Sequence, residues 1–397
     1  MATFSARFLG CKVSFSDAQA IRERLLGDGH VEVASGGEIQ VVNTCCVTHE
    51  AVSKSRQAVS RSARSARTVY VTGCASRLEG AFGSSSRNVV VTGRTGDEAA
   101  AFVAGDVGAI GCVSAEHRLE RVRAFVKIQD GCSFSCAFCV IPHVRGGTRS
   151  RSAAAVLGEI ERRVAQGHRE IVLTGVNLGC FRDRVAGFTL ARLVREAGSL
   201  AGVERLRLSS IEVNHVDDAL AAAVLETPAV SRHLHVPLQS GDDGVLRAMG
   251  RRYTVAQYER RLERLGGVAL TTDVIVGFPG EDDAAFEQTL ALVERMRMTK
   301  VHVFPYSPRP ATRTAAADTV SPDVKRARSA RLRALSDELA RRRWSERLGT
   351  LDQVLIDRPG RGYADDYTPW RVPGEIGELV AARAIGLDDE GVVAVAA

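Results

Sequence analysis

Short apolar runs and helical periodicities take turns along this chain. Over residues 1 to about 115, strand candidates at Glu38–Asn43, Val69–Thr72 and Asn88–Thr92 are separated by helical stretches such as Ser16–Leu26 and Ala51–Ala66, which predicts a small α/β domain. From Phe125 onward the alternation becomes regular. Strand candidates near Phe125–Gln129, Glu170–Asn177, Arg205–Glu212, His233–Gln239, Leu270–Phe278 and Lys300–Tyr306 have helical patterns between them, including Ala153–Ala165, Asp217–Leu225 and Asp282–Met296. Six β/α units in series imply a parallel sheet curled as an incomplete barrel, with chemistry at the strand C-terminal ends. After Ser321-Pro322 an Arg-rich helical run reaches about Leu348, and Gly360, Gly362, Gly374 and Gly377 then punctuate short alternating strands. That tail predicts a small all-β domain. The expected fold is therefore α/β and multidomain: an N-terminal α/β domain over 1–115, an incomplete (β/α)6 barrel over 116–340 and a small β-barrel over 349–397.

A chain of 397 residues with 45% hydrophobic content can build two or three such cores. The net charge of +6 points to an anionic partner, with nucleic acid the leading candidate. No apolar run approaches the roughly 20 residues that cross a bilayer, and the opening MATFSARFLGCK lacks the apolar core of a signal peptide. A cytoplasmic protein with no membrane partner is expected. Nine cysteines, an odd number in a reducing compartment, do not suggest a disulfide framework. Metal, catalysis or simple burial has to explain them.

Cys132, Cys136 and Cys139 follow the first predicted barrel strand in the segment DGCSFSCAFCVIPHVRGGTRSR, with three and then two residues between them. Three thiolates on one loop can each take one iron of a 4Fe–4S cube and leave the fourth iron open, and an open iron can chelate the amino and carboxylate groups of S-adenosylmethionine (SAM). A structural zinc ion would want a fourth ligand and usually paired Cys-x-x-Cys spacing. Cys11, Cys45 and Cys74 each follow a strand candidate, in the contexts LGC, NTC and TGC. Spacing alone leaves a metal site and three buried core thiols equally open there.

The string VKIQDGCSFSCAFCVIPHVRGGTRSR resembles the methylthiotransferase family within the radical SAM superfamily. Further blocks of that family follow its order along nearly the whole chain: LGCKVS, VVNTCCVT, VTGC, EIVLTGVNLG, LRLSSIE, HLHVPLQSGDD, RRYT, DVIVGFPGE and HVFPYSPRP. The words LGCK and KIQDGC are most similar to the branch that methylthiolates threonylcarbamoyladenosine next to the tRNA anticodon. The resemblance implies two 4Fe–4S clusters, a catalytic one on Cys132, Cys136 and Cys139 and an auxiliary one on Cys11, Cys45 and Cys74. It also implies SAM as cofactor, tRNA as substrate, an electron donor such as flavodoxin or ferredoxin, and a monomer. In that chemistry a radical made from SAM removes hydrogen from an aromatic carbon of the modified adenine, sulfur fills the position, and a second SAM supplies the methyl group.

At the strand ends, Gly175, Asn177, Ser210, Glu212, Gln239, Ser240 and Gly277 are candidate SAM contacts. Strand-end capping is the competing account of the polar ones, and glycine allows backbone to approach a ligand. Three positions depart from the family pattern near the auxiliary site: Ser14 where asparagine is common, Gln19 where an acid is common and Arg77 where glutamine is expected. Cys46, Cys112 and Cys180 match no family ligand. Neighbouring strand residues face opposite sides, so Cys45 and Cys46 are not expected to share one cluster, and burial accounts for all three.

Basic residues stud two helices, Lys54, Arg56, Arg61, Arg64 and Arg67 on one, and Lys325, Arg326, Arg328, Arg331, Arg333 and Arg341–Arg343 on the other. Solvated faces or RNA contacts explain such runs. The tail from about Gly349 to Ala397 resembles the TRAM domain, a small RNA-binding barrel of this family. Arg358, Arg361, Tyr363, Tyr367 and Trp370 there combine cations with rings for stacking on single-stranded RNA, unless the rings fill the barrel. As an RNA tether alone, the tail could be removed without loss of SAM cleavage. Two other functions stay open: a methylthiotransferase for another tRNA base or a protein residue, and a non-catalytic iron–sulfur RNA-binding protein.

Overall fold

A computed structural model of the chain describes residues 1–83, 86–110 and 122–397. Cys112 and the expected domain boundary near 115 lie outside them. The chain divides into two compact units, one of Met1–Arg118, Asp130–Thr148 and Arg309–Ala315, the other of Leu119–Gln129, Arg149–Pro308 and Ala316–Ala397.

The first unit is a parallel sheet with helices. Its elements are β1 (Thr3–Phe8), α1 (Lys12–Gly27), β2 (Val31–Glu32), β3 (Ile39–Thr44), α2 (His49–Ala63), β4 (Thr68–Gly73), β5 (Val89–Val91) and α3 (Gly96–Val107), with a short α4 (Ile141–Arg145). The strand order is β2-β1-β3-β4-β5. Every residue of β3 is buried, as a central parallel strand covered on both faces requires, the polar Gln40, Asn43 and Thr44 along with Ile39, Val41 and Val42. The strand candidate expected before Cys11 is β1, which pairs with β3 from Phe4↔Ile39 to Phe8↔Asn43. The chain leaves β1, β3 and β4 at Phe8, Thr44 and Gly73, so the residues that follow gather at one edge of the sheet. Gly73 makes the tightest of these exits. Its φ is +84°, and a Cβ there would sit 2.6 Å from both Asn43 Oδ1 and Thr44 O.

The second unit carries the expected strand series: β6 (Arg123–Asp130), β7 (Arg149–Ser150), α5 (Ala153–Ala165), β8 (Glu170–Gly175), β9 (Arg182–Asp183), β10 (Phe188–Thr189), α6 (Leu190–Gly198), β11 (Arg205–Leu208), α7 (Asp218–Glu226), β12 (His233–His235), α8 (Asp243–Ala248), α9 (Val255–Glu263), β13 (Ala269–Val276), α10 (Asp283–Arg295), β14 (Lys300–Pro305) and α11 (Pro322–Ser345). Strands β11-β8-β6-β7 form one sheet and β12-β13-β14 another, and the parallel bridges Leu206↔Val230 and Ser210↔His235 join them. Alternate strand residues such as Val126, Ile128, Ile171, Leu173, Leu206, Leu234 and Val274 enter one hydrophobic core with the helices. The intervening positions, among them Arg123, Glu170, Arg207, His235 and Asp273, face the other side of the sheet, the lumen of the partial barrel.

The tail closes as expected into a five-stranded barrel, β15 (Leu351–Arg358), β16 (Arg361–Tyr363), β17 (Pro369–Arg371), β18 (Leu379–Asp388) and β19 (Gly391–Ala396), in the order β15-β16-β17-β19-β18. Trp370, 1% exposed, fills its core with Val354, Ile356 and Val392. The tail also docks on the N-terminal ends of the barrel strands. Glu170, wholly buried, receives Arg123 Nε at 2.9 Å, Arg207 Nε at 3.0 Å and Arg205 Nη1 at 3.2 Å. The remaining donors reach the tail: Arg207 donates to Ala364 O at 2.8 Å and Asp365 O at 2.9 Å, and Arg205 to Tyr363 O at 3.1 Å and Gln353 O at 2.5 Å. Tyr367 stacks between His233 and Tyr363, with centroids 4.9 Å away on each side, and the Arg207 guanidinium lies 4.6 Å from its ring.

This packing corrects the expected RNA platform. Trp370 belongs to the barrel core, and both tyrosines stack within the unit. Most α11 cations are likewise paired: buried Arg328 with Glu281, and Arg331, Arg342 and Arg343 with Glu287, Glu338 and Asp366. Lys54, Arg56, Arg61, Arg64 and Arg67, on or just after α2, are all exposed, with Lys54 paired to Glu50 and Arg67 to Glu38.

Candidate functional site

The segment after β6 has almost no regular structure until α4, because its backbone is shaped by glycine and by its cysteines. Gly131 has a φ of +69°, and a Cβ there would lie 2.1 Å from Gly147 O, so the two ends of the loop touch through backbone alone. Cys132 N–H donates to Gly146 O at 2.9 Å and Cys139 N–H to Cys136 O at 3.2 Å. Phe134 N–H points at Cys132 Sγ, 3.5 Å away. Cys132, Cys136 and Cys139 are all partly exposed. Three thiols on one loop and an N–H aimed at sulfur suit the ligands of an iron–sulfur cluster.

At the sheet edge of the same unit, Cys11 caps the start of α1, Cys45 follows β3 and Cys74 follows β4. A Cβ on Gly10 would lie 3.0 Å from Cys45 Cβ. Burial pushes the Cys45 thiol up to about 11. Cys74 moves the other way, drawn down by its coupling to the Cys46 thiol and by the charge of Arg145, which together outweigh burial. Arg145 Nε lies 3.0 Å from Cys74 Sγ. The donor set, three thiols on neighbouring strand ends with a guanidinium beside one, suits an anionic thiolate cluster.

The side chain of Cys46 does reach this site. The expectation that it would face away fails because β3 ends at Thr44, so strand alternation no longer governs positions 45 and 46. Cys180 is only half-buried, with Sγ 3.4 Å from His215 Nε2. Of the three departures, Ser14 donates to Asn43 Oδ1 at 2.6 Å beneath the site, and Arg77 donates to Gly93 O at 2.8 Å and Val144 O at 3.3 Å. Gln19 faces Glu23 along α1. The acid that serves this site is Asp17, whose carboxylate lies 2.7 Å from Arg145 Nη2.

In the second unit, the strand ends hold buried polar atoms without protein partners: Thr174 Oγ1, Asn177 Oδ1 and Ser209 Oγ. They suit a polar ligand at the C-terminal ends of β8 and β11. Of the residues expected there, Gly175 packs on Gln129, where a Cβ would lie 3.0 Å from both its backbone and side-chain oxygens. Gln129 Oε1 also accepts from Asn177 N–H at 2.8 Å. Gln239 holds a φ of +75°, and Gly277 one of +72° with its N–H turned to Glu281. Two others make strand-end contacts within the protein. Glu212 caps the turn at Asn214 and pairs with Arg251, and Ser240 Oγ accepts from Asp242 N–H. The backbone carbonyl of Ser210 accepts from Leu178 N–H at 3.4 Å.

Sequence reasoning missed a lumen cluster of His235, Asp273 and His302, whose ligand atoms all lie within 4.8 Å of one another. His235 Nδ1 meets Thr271 Oγ1 at 3.0 Å and its Nε2 meets Asp273 at 3.3 Å. Its signal was parity: these positions alternate with core residues on β12, β13 and β14.

An open parallel strand series with a Cys-x-x-x-Cys-x-x-Cys loop after its first strand defines the radical SAM class. Residues 126–293 match the Radical SAM superfamily, and residues 3–92 match the Uncharacterized protein family UPF0004. The solved structure of the radical S-adenosylmethionine methyltransferase TsrM from Kitasatospora setae is similar in fold, with a TM-score of 0.55 at 14% identity over 79% of this chain and 76% of that one. A threonylcarbamoyladenosine tRNA methylthiotransferase MtaB of Chlamydia pneumoniae is 32% identical over 98% of this chain and 97% of its own length. A tRNA-2-methylthio-N(6)-dimethylallyladenosine synthase of Maricaulis maris is 31% identical over 89% of this chain and 86% of its own. The chain belongs to the radical SAM methylthiotransferase family. Membership implies a 4Fe–4S cluster and SAM as cofactors.

Proposed function

We propose that this enzyme adds a methylthio group to threonylcarbamoyladenosine in tRNA. The observation that carries the reading is the likeness to the Chlamydia pneumoniae enzyme over nearly the full length of both chains, with both cysteine triads present. Cys132, Cys136 and Cys139 would hold the catalytic cluster, and Cys11, Cys45 and Cys74 a second one. The bound cluster and SAM supply an electron and a carbon radical able to take hydrogen from an unreactive aromatic carbon.

The chain's own part is to bind, orient and exclude water. Thr174 Oγ1, Asn177 Oδ1 and Ser209 Oγ offer hydrogen bonds to the cofactor's polar groups, with the strand-end backbone at Gly175, Gln239 and Gly277 nearby. Ser210, Glu212 and Ser240 hold the strand-end turns. The lumen cluster of His235, Asp273 and His302 offers donors and acceptors to the edge of a heterocycle. The tail packed on Glu170, Arg205 and Arg207 closes the opposite end of the lumen to water, which protects a radical. The exposed cations around α2 fit the phosphates of tRNA. An external electron donor, a monomeric state and a cytoplasmic location go with this reading; no helix among the described residues is long and apolar enough to cross a membrane.

The test uses anaerobically reconstituted protein with SAM, a reductant and tRNA bearing threonylcarbamoyladenosine or dimethylallyladenosine. Methylthio product is expected on the first tRNA. Cys136→Ala should abolish both 5′-deoxyadenosine and product, while Cys180→Ala should keep both, since Cys180 lies in the other unit beside His215. Product only on the dimethylallyl substrate, or on neither, would refute the proposed substrate.

A further inference from the structure

We propose that Arg145 is a positioning residue that tunes the amino-terminal cluster and fixes it against the loop of Cys132, Cys136 and Cys139. The inference rests on the reading of Cys11, Cys45 and Cys74 as ligands of a second cluster.

Arg145 is 1% exposed, and its donors reach one sulfur and two carboxylates. Nε lies 3.0 Å from Cys74 Sγ, Nη2 2.7 Å from Asp17 Oδ2, and Nη1 3.0 and 3.2 Å from the two oxygens of Asp130. A buried guanidinium is tolerated only when it is paired in this way. Asp17 and Asp130 hold the fork in plane, so that the Nε–H is aimed at sulfur. Cys46, wholly buried, packs with Cys74 and its thiol couples electrostatically to the same sulfur, which places a weak S–H donor beside it. Donors and positive charge at a ligand sulfur favour the reduced, more negative state of an iron–sulfur cluster, and so raise its potential.

The position of Arg145 in the chain adds the mechanical half. It ends α4, which starts two residues after Cys139, and the next residue, Gly146, accepts the N–H of Cys132 at 2.9 Å. Val140 and Val144 of the same segment pack against Cys46, Cys74 and Ala75. One short helix thus touches the backbone of one cysteine group and the sulfur of the other. The spacing between the two centres is set here, by an apolar seam and one guanidinium.

The test uses full-length protein in which Cys132, Cys136 and Cys139 are alanine, so that only the amino-terminal centre can form. Iron content and a redox titration followed by electron paramagnetic resonance are read for this parent and for added Arg145→Lys, Arg145→Met and Cys46→Ala. The parent should hold about four irons per chain. The midpoint potential should fall in Arg145→Lys, which keeps the charge but not the planar fork, and fall further in Arg145→Met. Cys46→Ala should shift it the same way by less. If Arg145→Met takes up no iron, Arg145→Lys and Cys46→Ala carry the comparison. Unchanged potentials and spectra in the variants that load, including reduced iron content with an unmoved potential, would overturn the tuning role. A parent that takes up no iron overturns the second cluster itself, and the role of Arg145 with it.

Discussion

Deleting residues 349–397 is expected to abolish reductive SAM cleavage along with tRNA modification. As a tether, the tail would be dispensable for cleavage, but its backbone carbonyls satisfy buried arginines of the barrel. Deletion strips Arg205 and Arg207 of four charge-assisted bonds, at Tyr363 O, Gln353 O, Ala364 O and Asp365 O. At about 1.5–3 kcal/mol each, their loss is comparable with the 5–15 kcal/mol that holds a typical protein folded. Water would also enter the lumen from that end. The point variant Glu170→Ala probes the same network without truncation. It leaves three arginines facing one another where the carboxylate stood, a loss of roughly 3–5 kcal/mol, or on the order of 10 °C in melting temperature. Burial alone would raise the Glu170 pKa, but Arg207, Arg123 and Arg205 outweigh it and hold it below the usual carboxylate range. A depressed folded-state pKa stabilises above the unfolded value, and that stability is lost as pH falls through the folded one. Glu170→Gln should therefore flatten the acid side of the stability profile. Calorimetry against pH and a 5′-deoxyadenosine assay check both. A truncated protein that cleaves SAM at the wild-type rate would show that the tail is only a tether.

Replacing Cys11, Cys45 and Cys74 together by alanine should lower iron from about eight to about four per chain while leaving SAM cleavage in place. Methylthio product should disappear. The two effects separate because the catalytic triad lies on a different loop, which meets the sheet edge through Val140, Val144 and Arg145. Arg145 would then face alanine, with its carboxylate partners Asp17 and Asp130 intact, so the fold should survive. Iron analysis, 5′-deoxyadenosine yield and nucleoside product are read from one preparation. Unaltered iron, or product formed at the wild-type level, would remove the auxiliary centre from the reaction.

The strands whose two faces are both buried, such as β3 and β4, and the helices with clear periodicity, such as α5, were legible from apolar pattern alone. The strand-end placement of Cys11, Cys45 and Cys74 was legible too, whereas their reading as a ligand set came from the family resemblance and not from spacing. What escaped depends on residues far apart in sequence. Arg145 meets Asp17 across 128 positions, and Arg207 meets Asp365 across 158, distances over which no local pattern operates. Tyr363 and Tyr367 are placed by arginines of the barrel, so an RNA-facing role was a fair reading of the tail alone. Cys46 was misplaced for a local reason, the end of β3 two residues earlier. The lumen cluster of His235, Asp273 and His302 was visible only once strand register put those parities on one face.

The central claim is most directly tested by mass spectrometry of nucleosides from tRNA of cells that carry this chain and of cells from which its gene is deleted. Deletion should remove the methylthio form of threonylcarbamoyladenosine and leave the unthiolated nucleoside in its place. Wild-type protein should restore it, and Cys136→Ala should not. An unchanged methylthio threonylcarbamoyladenosine content after deletion, or the loss of a different methylthio nucleoside, would contradict the account.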